Sequence, residues 1–148
     1  MSYEMYLENE VMTANQGKLL IMLYDGAIKF LRRLDNIDYA KECETKTYNI
    51  NKAYSILSEL QITLNMEYKD IAGPLFALYD YMQGRLLEAN LHNKKEHVQE
   101  VITLLSDLRT TWCQVIVIDN NNTAQNSAHV QTTEHLESEE REAFSIAC

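Results

Sequence analysis

The stretch that most constrains this chain is L-L-I-M-L-Y-D-G-A-I-K-F-L-R-R-L, residues 19–34. Its apolar residues recur at helical spacing. Leu19, Leu23, Ala27, Phe30 and Leu34 lie along one line, which Leu20, Tyr24 and Leu31 widen. Ile21 and Ile28 form a further stripe beyond it. The apolar arc covers about 200° of the wheel at about 100° per residue, where a surface helix shows about 100°. Two arrangements fit such a helix. It is either central in a bundle and touches neighbours on two sides, or one stripe builds the core and the other lines a groove for a partner.

The rest of the chain repeats this pattern. It has 148 residues, enough for one domain with a real core. One Pro and four Gly leave few places for the punctuation of strands. The expected fold class is all-α, an antiparallel up-down four-helix bundle over residues 1–118. This domain includes a short N-terminal segment, and a polar acidic tail, 119–148, follows and is expected to be mobile. The first helix is expected to run to about Asn36, with Thr13 or Asn15 as its N-cap. The second spans roughly Tyr39 to Asn65, with Cys43, Thr47, Ile50, Tyr54, Leu57, Leu60 or Gln61, and Leu64 inward. Met66 to Ala72 reads as a loop, and Pro74 suits the first turn of a third helix ending near Asn90. Leu75, Leu78, Tyr79, Met82, Leu86 and Ala89 make its inner face, while Phe76, Leu87 and Leu91 spill beyond it. Asn93 with Glu96 has the spacing to cap a fourth helix. Its inner line is Val98, Val101, Leu105, Leu108, Trp112 and Val115. The triplet L-Y-D recurs at 23–25 and 78–80, a faint internal echo.

Charge and cysteine content narrow the function. The net charge of −9 argues against nucleic acid and anionic membrane surfaces. No apolar run reaches the length of a membrane span, and the acidic N-terminus lacks a basic signal region. Three cysteines, without metal spacing and odd in number, fit a reducing cytoplasm. Residues 119–148 hold six acidic residues and one arginine, and so carry −5 of the −9.

Catalytic and metal signatures are weak. Di-metal bundles place Glu-x-x-His pairs inside. Here Glu88-x-x-x-His92 has the wrong spacing and His97-x-x-Glu100 runs in reverse. There is no Gly-rich phosphate loop. Cys43 and Cys113 suit core filling better than nucleophilic chemistry. Neither a metal, a cofactor nor an enzymatic activity is therefore expected. Asp25 and Asp80, each beside a Tyr in an apolar helix, read as solvated carboxylates or as acceptors at a groove rim. Gly26 costs about 1 kcal/mol of helix propensity against Ala, which points to the close approach of another backbone.

Several motifs are more specific. N-E-V-M-T-A at 9–14, G-K-L-L-I-M-L-Y-D-G-A-I-K-F-L at 17–31, L-Y-D-Y-M at 78–82, R-L-L-E-A-N at 85–90 and L-L-S-D-L-R-T-T-W at 104–112 resemble the FliS family of flagellin-specific export chaperones. The family's usual Ser-Pro is replaced by Asn15-Gln16. The resemblance implies a cytoplasmic bundle that binds the disordered C-terminal segment of flagellin, prevents its premature polymerisation and delivers it to the flagellar export gate. The client contacts expected on that basis are Ile21, Tyr24, Ile28, Leu57, Leu60, Leu64, Tyr81 and Leu87. Asp25 and Asn90 are expected as polar clamps, and Tyr6 and Leu7 as a cover for the groove when it is empty. The alternatives are a bundle that binds another amphipathic helix, or a di-metal bundle enzyme.

Overall fold

The computed structural model describes residues 14–126, and within them the chain is an all-α four-helix bundle without strands. The helices are α1 (Ala14–Arg32), α2 (Cys43–Thr63), α3 (Lys69–His92) and α4 (Lys95–Asn126). Tyr6, Leu7 and the segment after residue 126 lie outside the described residues. The described residues form two compact units, 23–107 and a second one holding 14–22 and 108–126.

In the unit 23–107, all four helices contribute to the core. The buried residues are Tyr24, Ala27, Ile28, Leu31 and Leu34 from the first helix and its exit, and Ile50, Ala53, Leu57 and Leu60 from α2. Tyr79, Met82, Leu86 and Ala89 come from α3, and Val98, Val101, Ile102 and Leu105 from α4. The two L-Y-D triplets meet here: the fully buried Tyr24 and Tyr79 hydroxyls share a hydrogen bond of 2.5 Å. A buried phenol needs such a partner, because an unsatisfied hydroxyl costs about 1–3 kcal/mol. In the other unit, Ile21, Cys113 and Ile116 form a small core with Trp112 against it.

The buried line of α1 is rotated from the expected one. Leu20, Ile21, Tyr24, Ala27, Ile28 and Leu31 are buried, while Leu19 is exposed and Leu23 and Phe30 are only half-buried. On an arc this wide, periodicity selects several equivalent lines, and the Tyr24–Tyr79 bond favours the one through Tyr24. The α2 line is rotated too, with Ala53 at its centre and Cys43 exposed.

Element boundaries differ in three places. The helix α3 begins at Lys69, so Pro74 lies inside it. A proline removes one bond, to the carbonyl of residue 70. Asp70 is exposed in the first turns, where water can satisfy that group. Asn93 does not cap α4. It ends α3 in the left-handed conformation at φ 55°, and Lys94 N–H reaches back to the Ala89 carbonyl at 3.2 Å, the pattern of a Schellman ending. The helix α4 continues past Ile118 to Asn126. The asparagines there are poor helix formers, but no Gly or Pro stops the helix, and extending an existing helix avoids the cost of nucleation.

Candidate functional site

The α2–α3 pair is joined by side chains that fix its register. Gln83 Nε2 donates to Ser58 Oγ at 2.8 Å and to the Tyr54 carbonyl at 3.2 Å. Gln61 Nε2 donates to the Phe76 carbonyl at 3.5 Å. Thr47 Oγ1 donates to Asn90 Oδ1 at 3.0 Å. At this end Lys46, buried in spite of its charge, donates to the Asn90 carbonyl at 2.9 Å and to Asn93 Oδ1 at 2.7 Å. An ammonium at a helix C-terminus meets unpaired carbonyls and the negative end of the dipole. The first turns of α2 are polar, yet they contain this buried lysine. Nothing in the K-E-C-E-T-K-T stretch marks one lysine as a cap, because its acceptors lie 44 and 47 residues away.

These contacts make the helices antiparallel and align their outward residues. Ile62 lies level with Phe76, Ser55 with Gly84, Asn51 with Leu87, and Tyr48 with Leu91. Around the contacts at Thr47, Tyr54, Ser58, Gln61, Gln83 and Asn90, the preceding residue is buried and the following one is exposed. The large outward side chains remain accessible: Ile62 75%, Leu91 74%, Tyr48 55%, Leu87 48% and Phe76 43%. The result is a shallow groove with apolar ends and a small-residue centre. A surface recess of about 440 Å³ beside Tyr48 is lined by the α2 residues Cys43, Glu44, Thr47, Tyr48 and Asn51.

The opposite flank of α3 is polar. Tyr81 donates to both Glu100 oxygens at 3.0 Å, and Arg85 Nε donates to Glu100 Oε1 at 2.6 Å. His97 and Arg85 also approach Glu88, at 3.3 and 3.4 Å. The guanidinium, and then the phenol, hold the Glu100 carboxyl below its usual range. The charged carboxylate in turn pushes the Tyr81 phenol up. Tyr39 is raised to about 12 by burial and by the nearby Asp35 charge. Among the described residues, no three His, Cys, Asp or Glu side chains converge on a metal-sized site, and no helix is long and apolar enough to cross a membrane.

The structure separates the expected client residues. Ile21, Tyr24, Ile28, Leu57 and Leu60 are buried within the chain itself. Leu64 and Asn90 are half-buried, and Asn90 already accepts hydrogen bonds from Thr47 and Lys46. Asp25, Tyr81 and Leu87 are exposed. Of these three, Leu87 lines the α2–α3 groove and Tyr81 belongs to the polar flank. Gly26 admits a side chain rather than a backbone: a Cβ there would lie 3.4 Å from Ile56 Cδ1. Tyr48, Ile62, Phe76 and Leu91 were not among the expected contacts. The visible signal for two of them was that Phe76 and Leu91 did not fit the inner line of their helix.

Comparison with known proteins adds identity to this geometry. The family model described as flagellar protein FliS matches residues 1–119. The flagellar secretion chaperone FliS of Bacillus subtilis is 38% identical over 114 residues, covering 77% of this chain and 85% of that protein. The flagellar secretion chaperone FliS of Escherichia coli is 36% identical over 108 residues, covering 72% and 79%. That of Campylobacter jejuni is 30% identical over 116 residues, covering 78% and 91%.

Proposed function

The chain belongs to the FliS family of flagellar proteins, and from that premise we propose that it is a cytoplasmic chaperone for the C-terminal segment of flagellin. It holds that segment apart from other flagellin molecules and presents it to the flagellar export gate. The observation that supports this reading is the α2–α3 groove, where five large apolar side chains stay in water. A monomer gains nothing from leaving them there, whereas a partner with an apolar face buries them at about 25 cal/mol per Å². A segment that folds as it binds loses several kcal/mol to ordering, so it requires an extended apolar contact of this kind. Helix-in-groove binding supplies one.

The relatives are named for secretion, and nothing in this reading requires catalysis. The expected contact surface shifts accordingly. Leu87 is retained within it, Leu64 and Tyr81 flank it, and Leu57 and Leu60 support it from beneath as core residues. The test is calorimetric titration of the full chain with a flagellin C-terminal segment from the same cell, alongside a filament-growth assay. Saturable one-to-one binding and suppression of filament growth are expected. Absence of binding at high micromolar concentration would overturn the reading.

A further inference from the structure

The turn between α2 and α3 carries apolar side chains that neither the core nor the groove explains. Met66, Tyr68 and Ile71 are all exposed. The turn itself is built by hydrogen bonds. Glu67 N–H donates to Asn65 Oδ1 at 3.0 Å, and Tyr68 N–H donates to the Asn65 carbonyl at 3.2 Å. Ala72 N–H then donates to the Tyr68 carbonyl at 2.8 Å as α3 begins. Tyr68 is the N-cap of α3, and its side chain makes no capping bond. Ser, Thr, Asp or Asn at that position satisfies a free N–H of the first turn, which a tyrosine does not. Local helix stability therefore does not account for Tyr68. Ile71 does not belong to the groove either. It stands about 140° round α3 from Phe76, at about 100° per residue. Two carboxylates, Glu67 and Asp70, and one cation, Lys69, surround the three apolar side chains, and all are exposed.

These surroundings select the occupant. A turn that closes two antiparallel helices projects from the end of the pair, so its side chains are knobs. A segment that folds as it binds needs a channel to lie in, and a projecting turn offers none. Knobs fit a pocket already formed on a folded partner. The chain's own ends do not suit the negative surroundings: residues 1–13 hold three Glu and no Lys or Arg, and residues 119–148 hold six acidic residues and one arginine. A second copy would bring the same negative turn. A partner with a cationic rim complements it. We infer that the α2–α3 turn docks Tyr68 and Ile71 into a preformed apolar pocket with a Lys- or Arg-bearing rim, on the component of the export gate that receives the client. The inference rests on the chaperone reading for the identity of that partner. The position of the turn suits a receiver. The groove ends at Ile62 and Phe76, four residues before Met66 and five after Ile71. A protein seated on the turn therefore sits beside the end of a bound client without displacing it. Tyrosine is among the side chains that dominate such contacts, because it buries a large ring while ordering few torsions.

The test titrates the soluble domain of the export gate from the same cell into the full chain loaded with the flagellin C-terminal segment. The variants are Tyr68→Ser and Ile71→Ser. Tyr68→Ser supplies a capping hydroxyl, so its Tm is expected to stay or rise, and a loss of binding there does not reflect misfolding. Both variants are expected to bind the flagellin segment as wild type does and the gate domain at least about tenfold more weakly, as for a hot-spot side chain. Binding of wild type to the gate domain is expected to weaken as salt rises. Undiminished gate binding by both variants, or no gate binding by the loaded wild type, would overturn the docking turn and leave the chaperone reading in place. Variants that lose the flagellin segment would make the turn part of the client's surface and overturn it too. A wild type that sediments as a dimer while the variants stay monomeric would make the turn a contact between copies, with the same consequence. A wild type that does not bind the flagellin segment, yet binds the gate domain through Tyr68 and Ile71, would overturn the chaperone reading alone.

Discussion

Gly17 leaves no room for a methyl group. A Cβ at that position would lie 2.9 Å from Ile116 Cδ1 and 3.1 Å from its Cγ1, and Ile116 is itself buried beside Ile21 and Cys113. Helix propensity favours Ala over Gly by about 1 kcal/mol, so the sign of Gly17→Ala depends on whether packing outweighs propensity. Ile116 is β-branched and already buried, which leaves it few alternative rotamers. Gly17→Ala is therefore expected to destabilise the chain by about 1 kcal/mol, within the range for an overpacked site. Thermal melting of the variant beside wild type checks it, and an unchanged or raised Tm would show that Ile116 yields. The sequence motif made Gly26 the suspicious glycine. Gly17 shows its constraint only once Ile116, far along the chain, is placed against it.

At the scale of elements, the end of α3 depends on α2. Lys46 and Asn93 act together there: the left-handed Asn93 closes the helix, and Lys46 holds both the Asn90 carbonyl and the Asn93 side chain. Hydrogen bonds to a charged group contribute about 1.5–3 kcal/mol. Lys46→Met keeps the aliphatic stem and removes the donors, so it should cost about 1–2 kcal/mol on the same scale. Asn93→Ala should cost a similar amount, through a strained left-handed alanine and a lost acceptor. Because the two residues share one contact, the double variant should be less destabilised than the sum of the single ones. A double-mutant cycle by chemical denaturation measures this coupling, and strict additivity would mean that Lys46 does not act through Asn93. The existence and order of the four helices were legible from apolar spacing alone. Their junctions were not. Pro74 and Asn93 are each compatible with two local structures, and the hydrogen bonds that decide between them come from outside the local window.

For the molecule as a whole, one question is which apolar residues are core and which are offered to a partner. Ile21 and Ile28 are buried, while Ile62 and Phe76 are accessible. Replacing a buried aliphatic by Asp removes about 1.5–3 kcal/mol of burial and adds the desolvation of a charge. The pair Ile21→Asp and Ile28→Asp should exceed a total stability of about 5–15 kcal/mol or come close to it, leaving no cooperative melt by circular dichroism. The pair Ile62→Asp and Phe76→Asp should keep helical content and melting behaviour and lose flagellin binding. A folded, cooperative Ile21/Ile28 variant would show that the wide face of α1 is not core. From the sequence alone came the helical class, the family, the acidic surface and the surplus of apolar residues, because each depends on composition or on spacing along one chain. The tertiary structure alone decided which line of each apolar arc is buried, that Lys46 caps α3, and that Tyr48, Ile62, Phe76, Leu87 and Leu91 stay exposed on the outer faces of α2 and α3. A helix with apolar residues over most of its surface has several equivalent faces, and only the register of its neighbours makes them different.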